Sequence, residues 1–247
     1  MLINHRSVVD QYSQFRGAKR SRHSVSDRLA PSVFQYDYLV LRALGRDIQS
    51  LVDLLPDTRT TPLALDIGAD KSPYAGSLLR TGFDLRRLDL TVESNPDYVG
   101  TVEDTGLEND RFDIILCTQV LEHCTNPWMA MGEISRVLKP GGFAIVSVPH
   151  VWFYHPHPAD NWRFTQEGTV QLCRASNLSM IELRSQGGTI LTLFQVLCFL
   201  IYGVFGTWAA PVYGLLNLLA EPLDGLIPNT LFCSNFAFLA QKEVRSE

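Results

Sequence analysis

Between Pro62 and Pro149 the chain alternates short apolar runs with turn residues and helical patterns, and this alternation leaves few folds open to it. The runs are Leu63 to Ile67, Leu85 to Leu90, Phe112 to Cys117 and Phe143 to Val148. Runs this short and this apolar read as strands, and strands separated by helices build a doubly wound α/β sheet. The clearest helix lies between the last two runs. Asn126 is placed to cap it and Pro127 suits its first position. Trp128, Met131, Ile134, Val137 and Leu138 make one apolar face, and Lys139-Pro140-Gly141-Gly142 ends it. Two further strands are expected, at Ser179 to Arg184 and at Asn235 to Ala240.

The flanks are of a different kind. From Ser32 to Leu55 apolar residues recur at helical spacing until Pro56 stops the pattern, which gives an amphipathic helix. Residues 1 to 30 carry six Lys or Arg against two acids, as either a solvated arm or a flap that orders over an anionic ligand or lipid. The division expected is an N-terminal helical arm over residues 1–60 and a main domain over residues 61–247. Within that domain, Ser185 to Ala220 is a run of 36 residues without a charge. Gly203, Gly206, Pro211 and Gly214 divide it into pieces of roughly 17 and 9 to 12 residues, too short for two membrane spans of about 20 each. A buried helical insertion, a helix pair that dips into a membrane surface and a single span are the three readings of this segment, taken as about 187–228.

Composition narrows the function. Hydrophobic residues make up 46% of the 247 and charged residues 19%, enough apolar material for a packed core. The net charge of −5 argues against a protein held to nucleic acid by counterion release, so no nucleic-acid partner is expected. Five cysteines without a C-x-x-C pair fit neither a zinc ribbon nor a complete disulfide framework, and Cys117 and Cys124 read as small packing residues. With no apolar signal segment near the N-terminus, a cytoplasmic location is expected, with peripheral membrane contact through 187–228 as the alternative.

The first apolar run leads into Asp66-Ile-Gly68-Ala69-Asp70, a turn where a ligand can approach the backbone closely. Asp89 ends the second run, where an acid can accept hydrogen bonds from both hydroxyls of a ribose; strand-end capping is the plainer role for both acids. These pieces stand in order with Phe112-Asp-Ile-Ile-Leu-Cys-Thr-Gln-Val-Leu-Glu122-His123, Arg136-Val-Leu-Lys-Pro-Gly-Gly142 and Ser147-Val-Pro149. Together they resemble the class I S-adenosylmethionine-dependent methyltransferases, closely from Leu63 to Pro149 and loosely outside. The resemblance implies a Rossmann-like seven-stranded sheet and S-adenosylmethionine as cofactor. It implies that Asp66, Gly68 and Asp70 lie by the methionine part, Asp89 and Leu90 by the ribose, Val102 and Glu103 by the adenine, and Thr118 and Gln119 by the sulfonium. Members usually have glycine at the position of Asp70 and often an acid at that of Thr101.

His150, His155 and His157 fall within eight residues just past the last core strand, followed by Asp160, Trp162 and Arg163. A similar H-P-x-x-D-x-W-R-F-T pattern occurs in a bacterial branch of the same family. Three roles are open: binding substrate and locking the loop (His150, Trp162, Arg163), general base (His157 or His155 oriented by Asp160, with His123 a lesser candidate), and a divalent metal. His-x-His with one Asp is too sparse to specify a metal, and transfer from a sulfonium requires none. Arg163 either holds a substrate anion or bridges the loop to an internal acid. In this fold the sixth strand is parallel and the seventh antiparallel, so the apolar insertion is expected to border the acceptor site. That suits an oxygen on a saccharide, a lipid-linked intermediate or a secondary metabolite. A scaffold with a degenerate cofactor loop is the second reading, and a nicotinamide binder is disfavoured because G-x-G-x-x-G is absent.

Overall fold

The computed structural model of the chain describes residues 28–57, 61–156, 158–226 and 229–244. In chain order the elements are α1 (Tyr38–Val52), β1 (Leu63–Ile67), α2 (Ala75–Arg80), β2 (Asp84–Asp89), β3 (Tyr98–Val99), β4 (Phe112–Thr118) and α3 (Pro127–Val137). There follow β5 (Leu138–Pro149), α4 (Gln166–Ala175), β6 (Leu178–Gln186), α5 (Thr189–Phe205), α6 (Ala210–Leu226) and β7 (Asn235–Lys242). The seven strands form one sheet in the order β3-β2-β1-β4-β5-β7-β6. β7 runs antiparallel to both neighbours, so β6 is parallel to β5. This is the expected α/β sheet, with the expected helical insertion before its last strand.

Alternation along each strand divides the core into two layers. Leu65, Ile67, Ile115, Cys117, Val146 and Phe238 face Met131, Ile134 and Val137 of α3 and Leu172 of α4. Ala64, Ile114, Leu116, Ile145 and Leu239 face Ile48, Leu51 and Val52 of α1 and Leu78 of α2. Such a sheet, covered on both faces, requires the near-continuous apolar runs seen in the sequence. α1 is thus one of the layers that cover the sheet.

Local chemistry sets the ends of α3. The Asn126 side chain accepts from the backbone N–H groups of Trp128 and Met129, with Pro127 next in the first helical position. Trp128 is half exposed and does not belong to the buried face, which Ala130, Met131, Ile134 and Val137 form instead. The last core strand begins earlier than its apolar run, at Leu138, and carries the Lys-Pro-Gly-Gly segment with Gly141 at φ +80° and a register shift opposite Phe112 and Ile114. α1 is shorter than its pattern and leaves Phe34 outside the helix.

The insertion departs from its expected division. α6 runs for 17 residues through Gly214 and Pro222 and does not break at them. At Gly214 the glycine serves contact: a Cβ there would stand 2.7 Å from the ring of Phe34. Gly188 and Leu191 donate N–H groups to Asp224, the Cys198 thiol donates to Asn217 Oδ1, and Tyr202 packs on Tyr213. Partners that converge in this way define an antiparallel helical hairpin. Its inner face is tied to the segment before α1. Asn217 Nδ2 donates to the carbonyls of Val33 and Gln35, at 2.7 and 2.9 Å, and Gln195 bridges Tyr36 O and Val40 N.

Asn217 is buried and donates to both carbonyls, of which Gln35 O also receives the Tyr38 N–H at 3.4 Å, so Asn217→Leu is expected to cost about 1–3 kcal/mol through acceptors left short of a donor, chiefly Val33 O. A thermal melt should show Tm lower by several degrees. An unchanged midpoint would mean that the hairpin is not anchored through this side chain.

Candidate functional site

The loops after β1, β4 and β5 meet at the carboxyl edge of the sheet, where open α/β sheets bind ligands. Gly68 follows β1 at φ +68°, and a Cβ added to it would lie 2.4 Å from Val120 Cγ2 in the loop after β4. Only glycine fits so close an approach. Asp70 and Ser72 are also left-handed, at φ 43° and 47°. Asp70 has an exposed side chain, and its N–H donates to Asp89 Oδ2 at 2.6 Å. Asp66 is buried and accepts from Ser72 Oγ at 2.7 Å. Burial pushes the pKa of this carboxyl up to about 7, against the hydrogen bond from Ser72. Leu90, next to Asp89, is exposed, whereas Val102 is part of the core. Glu103 accepts from the N–H of Asn126, which ties the loop after β3 to the start of α3.

The loop after β4 begins at Thr118, the last residue of the strand. Gln119 follows at φ 55°; its N–H donates to Ser147 O at 3.0 Å and its amide donates to Ser147 Oγ at 3.2 Å, which locks the turn onto β5. Glu122 is fully buried, and neither of its carboxyl oxygens accepts a hydrogen bond among the described residues. Burial pushes its pKa up to about 7. Its Oε1 stands 3.8 Å from Nε2 of His123. The His123 ring in turn holds the carbonyl of Ala159 through Nδ1, and burial lowers its pKa.

The loop after β5 is bound together by one ion pair. Asp160, whose side chain is 1% exposed, takes both terminal nitrogens of Arg163 and also accepts the His155 N–H at 2.9 Å. Burial alone lifts the Asp160 carboxyl, but the hydrogen bonds from Arg163 and His155 outweigh it and hold its pKa well below the usual carboxylate range. Arg163 spends its remaining donors on the carbonyls of Trp152, Phe153 and Trp162. All five N–H groups are engaged, so Arg163 bridges the loop and has none left for a substrate anion. The Trp162 indole donates to Cys124 O at 3.0 Å, and His150 Nδ1 lies 2.7 Å from Phe164 O. Both side chains are therefore committed to holding the loop. Thr165, the last residue of the pattern, caps α4 through Gly168 N.

His155 Nδ1 lies 2.9 Å from Phe153 O and 3.3 Å from Asp160 Oδ2, and its ring packs edge-on against His123 with centroids 5.1 Å apart. Burial lowers the pKa of His155, but the hydrogen bonds to Asp160 and Phe153 reverse this and leave it raised. His157 lies outside the described residues. The hairpin borders the same loop: Phe199 of α5 stacks on Phe153 at 3.7 Å and meets Trp152 at 6.1 Å. The reading from sequence passed over Ser72, Ser147 and the isolation of Glu122. Glu122 adjoins His123 in the Leu-Glu-His segment, but its lack of partners is visible only in three dimensions.

Comparison with known proteins agrees with this geometry. Residues 65–146 match the family described as a methyltransferase domain. Over 99 residues the chain is 30% identical to a ubiquinone biosynthesis O-methyltransferase of Rickettsia bellii, covering 34% of this chain and 40% of that protein. The chain spans 30 to 58% of the length of the first curated relatives that it matches. In structure it resembles an S-adenosylmethionine-dependent methyltransferase of Mesorhizobium loti, with a TM-score of 0.56 at 15% identity over 83% of this chain and 100% of that one. It resembles the cyclase SpnF about as well, with a TM-score of 0.55 at 15% identity over 81% and 82% of the two chains. The fold is that of the class I methyltransferases, and residues 65–146 match a methyltransferase-domain family.

Proposed function

We propose that the chain transfers the methyl group of S-adenosylmethionine to an acceptor that enters beside the apolar hairpin, with an oxygen of a saccharide, a lipid-linked intermediate or a secondary metabolite as the first choice. The observation that carries the reading is the Gly68 turn, in which a close approach without a side chain is flanked by Asp66 and Asp89. Asp66 would face the cofactor's ammonium group and Asp89 its ribose hydroxyls. Asp89 accepts from the N–H groups of Asp70 and Thr91, one on each oxygen, and keeps further lone pairs free. The scaffold reading rested on Asp70. Its side chain is exposed, and its backbone already has the left-handed form that a glycine would adopt, so it does not fill the turn.

When bound, the cofactor supplies a methyl group already activated on a sulfonium. The protein's share is to hold the acceptor, exclude water and give its proton somewhere to go. Phe153 and Phe199 wall the site from the hairpin side. Glu122, His123 and His155 offer ligand atoms within 4.8 Å of one another on the loops after β4 and β5.

The hairpin's outer face supports contact with a membrane surface. Thr189–Leu226 is long and apolar enough to cross a membrane by length and composition, and only 28% of its most apolar 18-residue window is buried. Leu193, Leu197, Leu200 and Val204 form an exposed stripe at helical spacing, and Trp208 at the bend is 91% exposed. Each helix of 17 residues extends about 25 Å, short of a full span, so the hairpin suits insertion into one leaflet's surface.

Three outcomes test this. S-adenosylhomocysteine should bind the parent, and Asp89→Ala should weaken it by about 1–3 kcal/mol in calorimetry, since two hydroxyls lose a charged acceptor. Unchanged affinity would place the ribose elsewhere. Because Asp66 is protonated below about 7, an ammonium group can pair with it only after its proton leaves. Affinity should therefore fall as the pH drops from 7 to 5.5, by up to about tenfold per unit, and Asp66→Asn should flatten that slope. Vesicle flotation should carry the parent upward with lipid, and Leu200→Gln combined with Trp208→Gln should leave it at the bottom of the gradient. A parent that never floats removes the membrane from the reading.

A further inference from the structure

Glu122 presents a physical problem that the methyl-transfer reading does not solve. A carboxyl buried to this degree normally recovers its desolvation through hydrogen bonds, and here neither oxygen has one among the described residues. His123 Nε2 stands 3.8 Å from Glu122 Oε1. One ligand atom each from Glu122, His123 and His155 lie within 4.8 Å of one another.

The imidazoles are already oriented. His123 Nδ1 contacts the carbonyl of Ala159, and His155 Nδ1 contacts the carbonyl of Phe153 with Asp160 Oδ2 close by. A carbonyl oxygen only accepts, so both Nδ1 atoms carry the proton, and in each neutral ring Nε2 keeps a lone pair, which a metal ion would take in place of the second proton. Outer hydrogen bonds of this kind, to backbone carbonyls or carboxylates, fix the tautomer and ring direction of histidines that bind metals.

The geometry points to a divalent-cation site formed by Glu122, His123 and His155. Two histidines and one carboxylate suit a borderline metal such as zinc, cobalt, manganese or iron in its divalent state. Glu122 closes the site from the core side, while the two rings are partly exposed toward the carboxyl edge of the sheet. That leaves coordination positions on the side from which an acceptor arrives. A hydroxyl bound there loses its proton to water more readily, because the cation stabilises the oxyanion. The ligand set differs from the His-x-His and Asp160 pattern considered from the sequence, because Asp160 is taken by Arg163. The site rests on the side chains alone, and its metal binding is measurable whether or not the chain transfers methyl groups.

The test uses the full-length protein stripped with chelator and titrated with Co2+, read by visible absorption and calorimetry. One ion per chain is expected, with a rise in Tm. Glu122→Gln and His155→Gln should each weaken binding more than about tenfold, whereas His150→Gln, outside the cluster, should not. Binding of S-adenosylhomocysteine should persist in all three variants. Glu122→Gln removes a buried charge and keeps the shape; if it nevertheless unfolds, His155→Gln, at a half-exposed ring, decides. Failure of the parent to take up Co2+, or uptake that both substitutions leave unchanged, overturns the site. Loss of homocysteine-ligand binding in the parent would instead sink the methyltransferase reading and leave the metal result standing.

Discussion

The antiparallel pairing of β7 with both β5 and β6 is the constraint on which the rest of the site depends. Because Asn235, Pro149 and Gln186 stand opposite one another in that pairing, the hairpin between β6 and β7 must leave and return at the carboxyl edge. All the loops that matter emerge at the same edge. An insertion between two parallel strands would have had to cross the sheet and cover its opposite end. Here it stands beside the loop after β5, and the Phe153–Phe199 stack is the result. Topology therefore decided that the most apolar segment of the chain borders the loop after β5 at the carboxyl edge.

Inside that edge, burial sets the chemistry. Asp66 and Glu122 are both fully buried carboxyls with raised pKa values, but their surroundings differ. Asp66 has the Ser72 hydroxyl to share its charge, two residues before the Gly68 turn. Glu122 has no hydrogen bond among the described residues, and the His123 and His155 rings stand near it. Asp160 shows the opposite case: nearly as well enclosed, it stays ionised because Arg163 and His155 give it directed hydrogen bonds. The same residue type therefore serves as a reserve of charge in two places and as a structural anchor in the third.

The loop after β5 looks like a substrate loop from its histidines and arginine, yet most of its polar groups turn inward. Arg163, Trp162 and His150 are committed to carbonyls and to Asp160. What this rigidity provides is the fixed direction of His155 toward His123 and Glu122. A site assembled from three separate loops needs such bracing, because a small displacement of any one loop separates the groups that must act together.

The strands and α3 were legible in the sequence because their determinants are local. Apolar runs bounded by turn residues mark β1, β4 and β5, and Asn126 with Pro127 marks the start of α3. The glycine turn and Asp89 were legible for the same reason, through their spacing along one strand-turn-strand unit. Where a residue's role depends on a partner far along the chain, the sequence was silent or misleading. Gly203, Pro211 and Gly214 read as breaks, but the helices run through them, and Gly214 accommodates Phe34, 180 positions earlier. Trp128 has the right helical phase for the core, but packs edge-on against Trp162 from a half-exposed position. Arg163 read equally well as an anion binder, until five acceptors at its donors showed otherwise. Periodicity and turn chemistry act over a few residues, so they marked the α/β class of the chain, and the resemblance to a known family supplied the seven-stranded sheet. Which polar side chains are spent on the scaffold and which, like Glu122, have no hydrogen bond among the described residues became visible in three dimensions alone, because hydrogen-bond satisfaction depends on neighbours that chain order does not reveal.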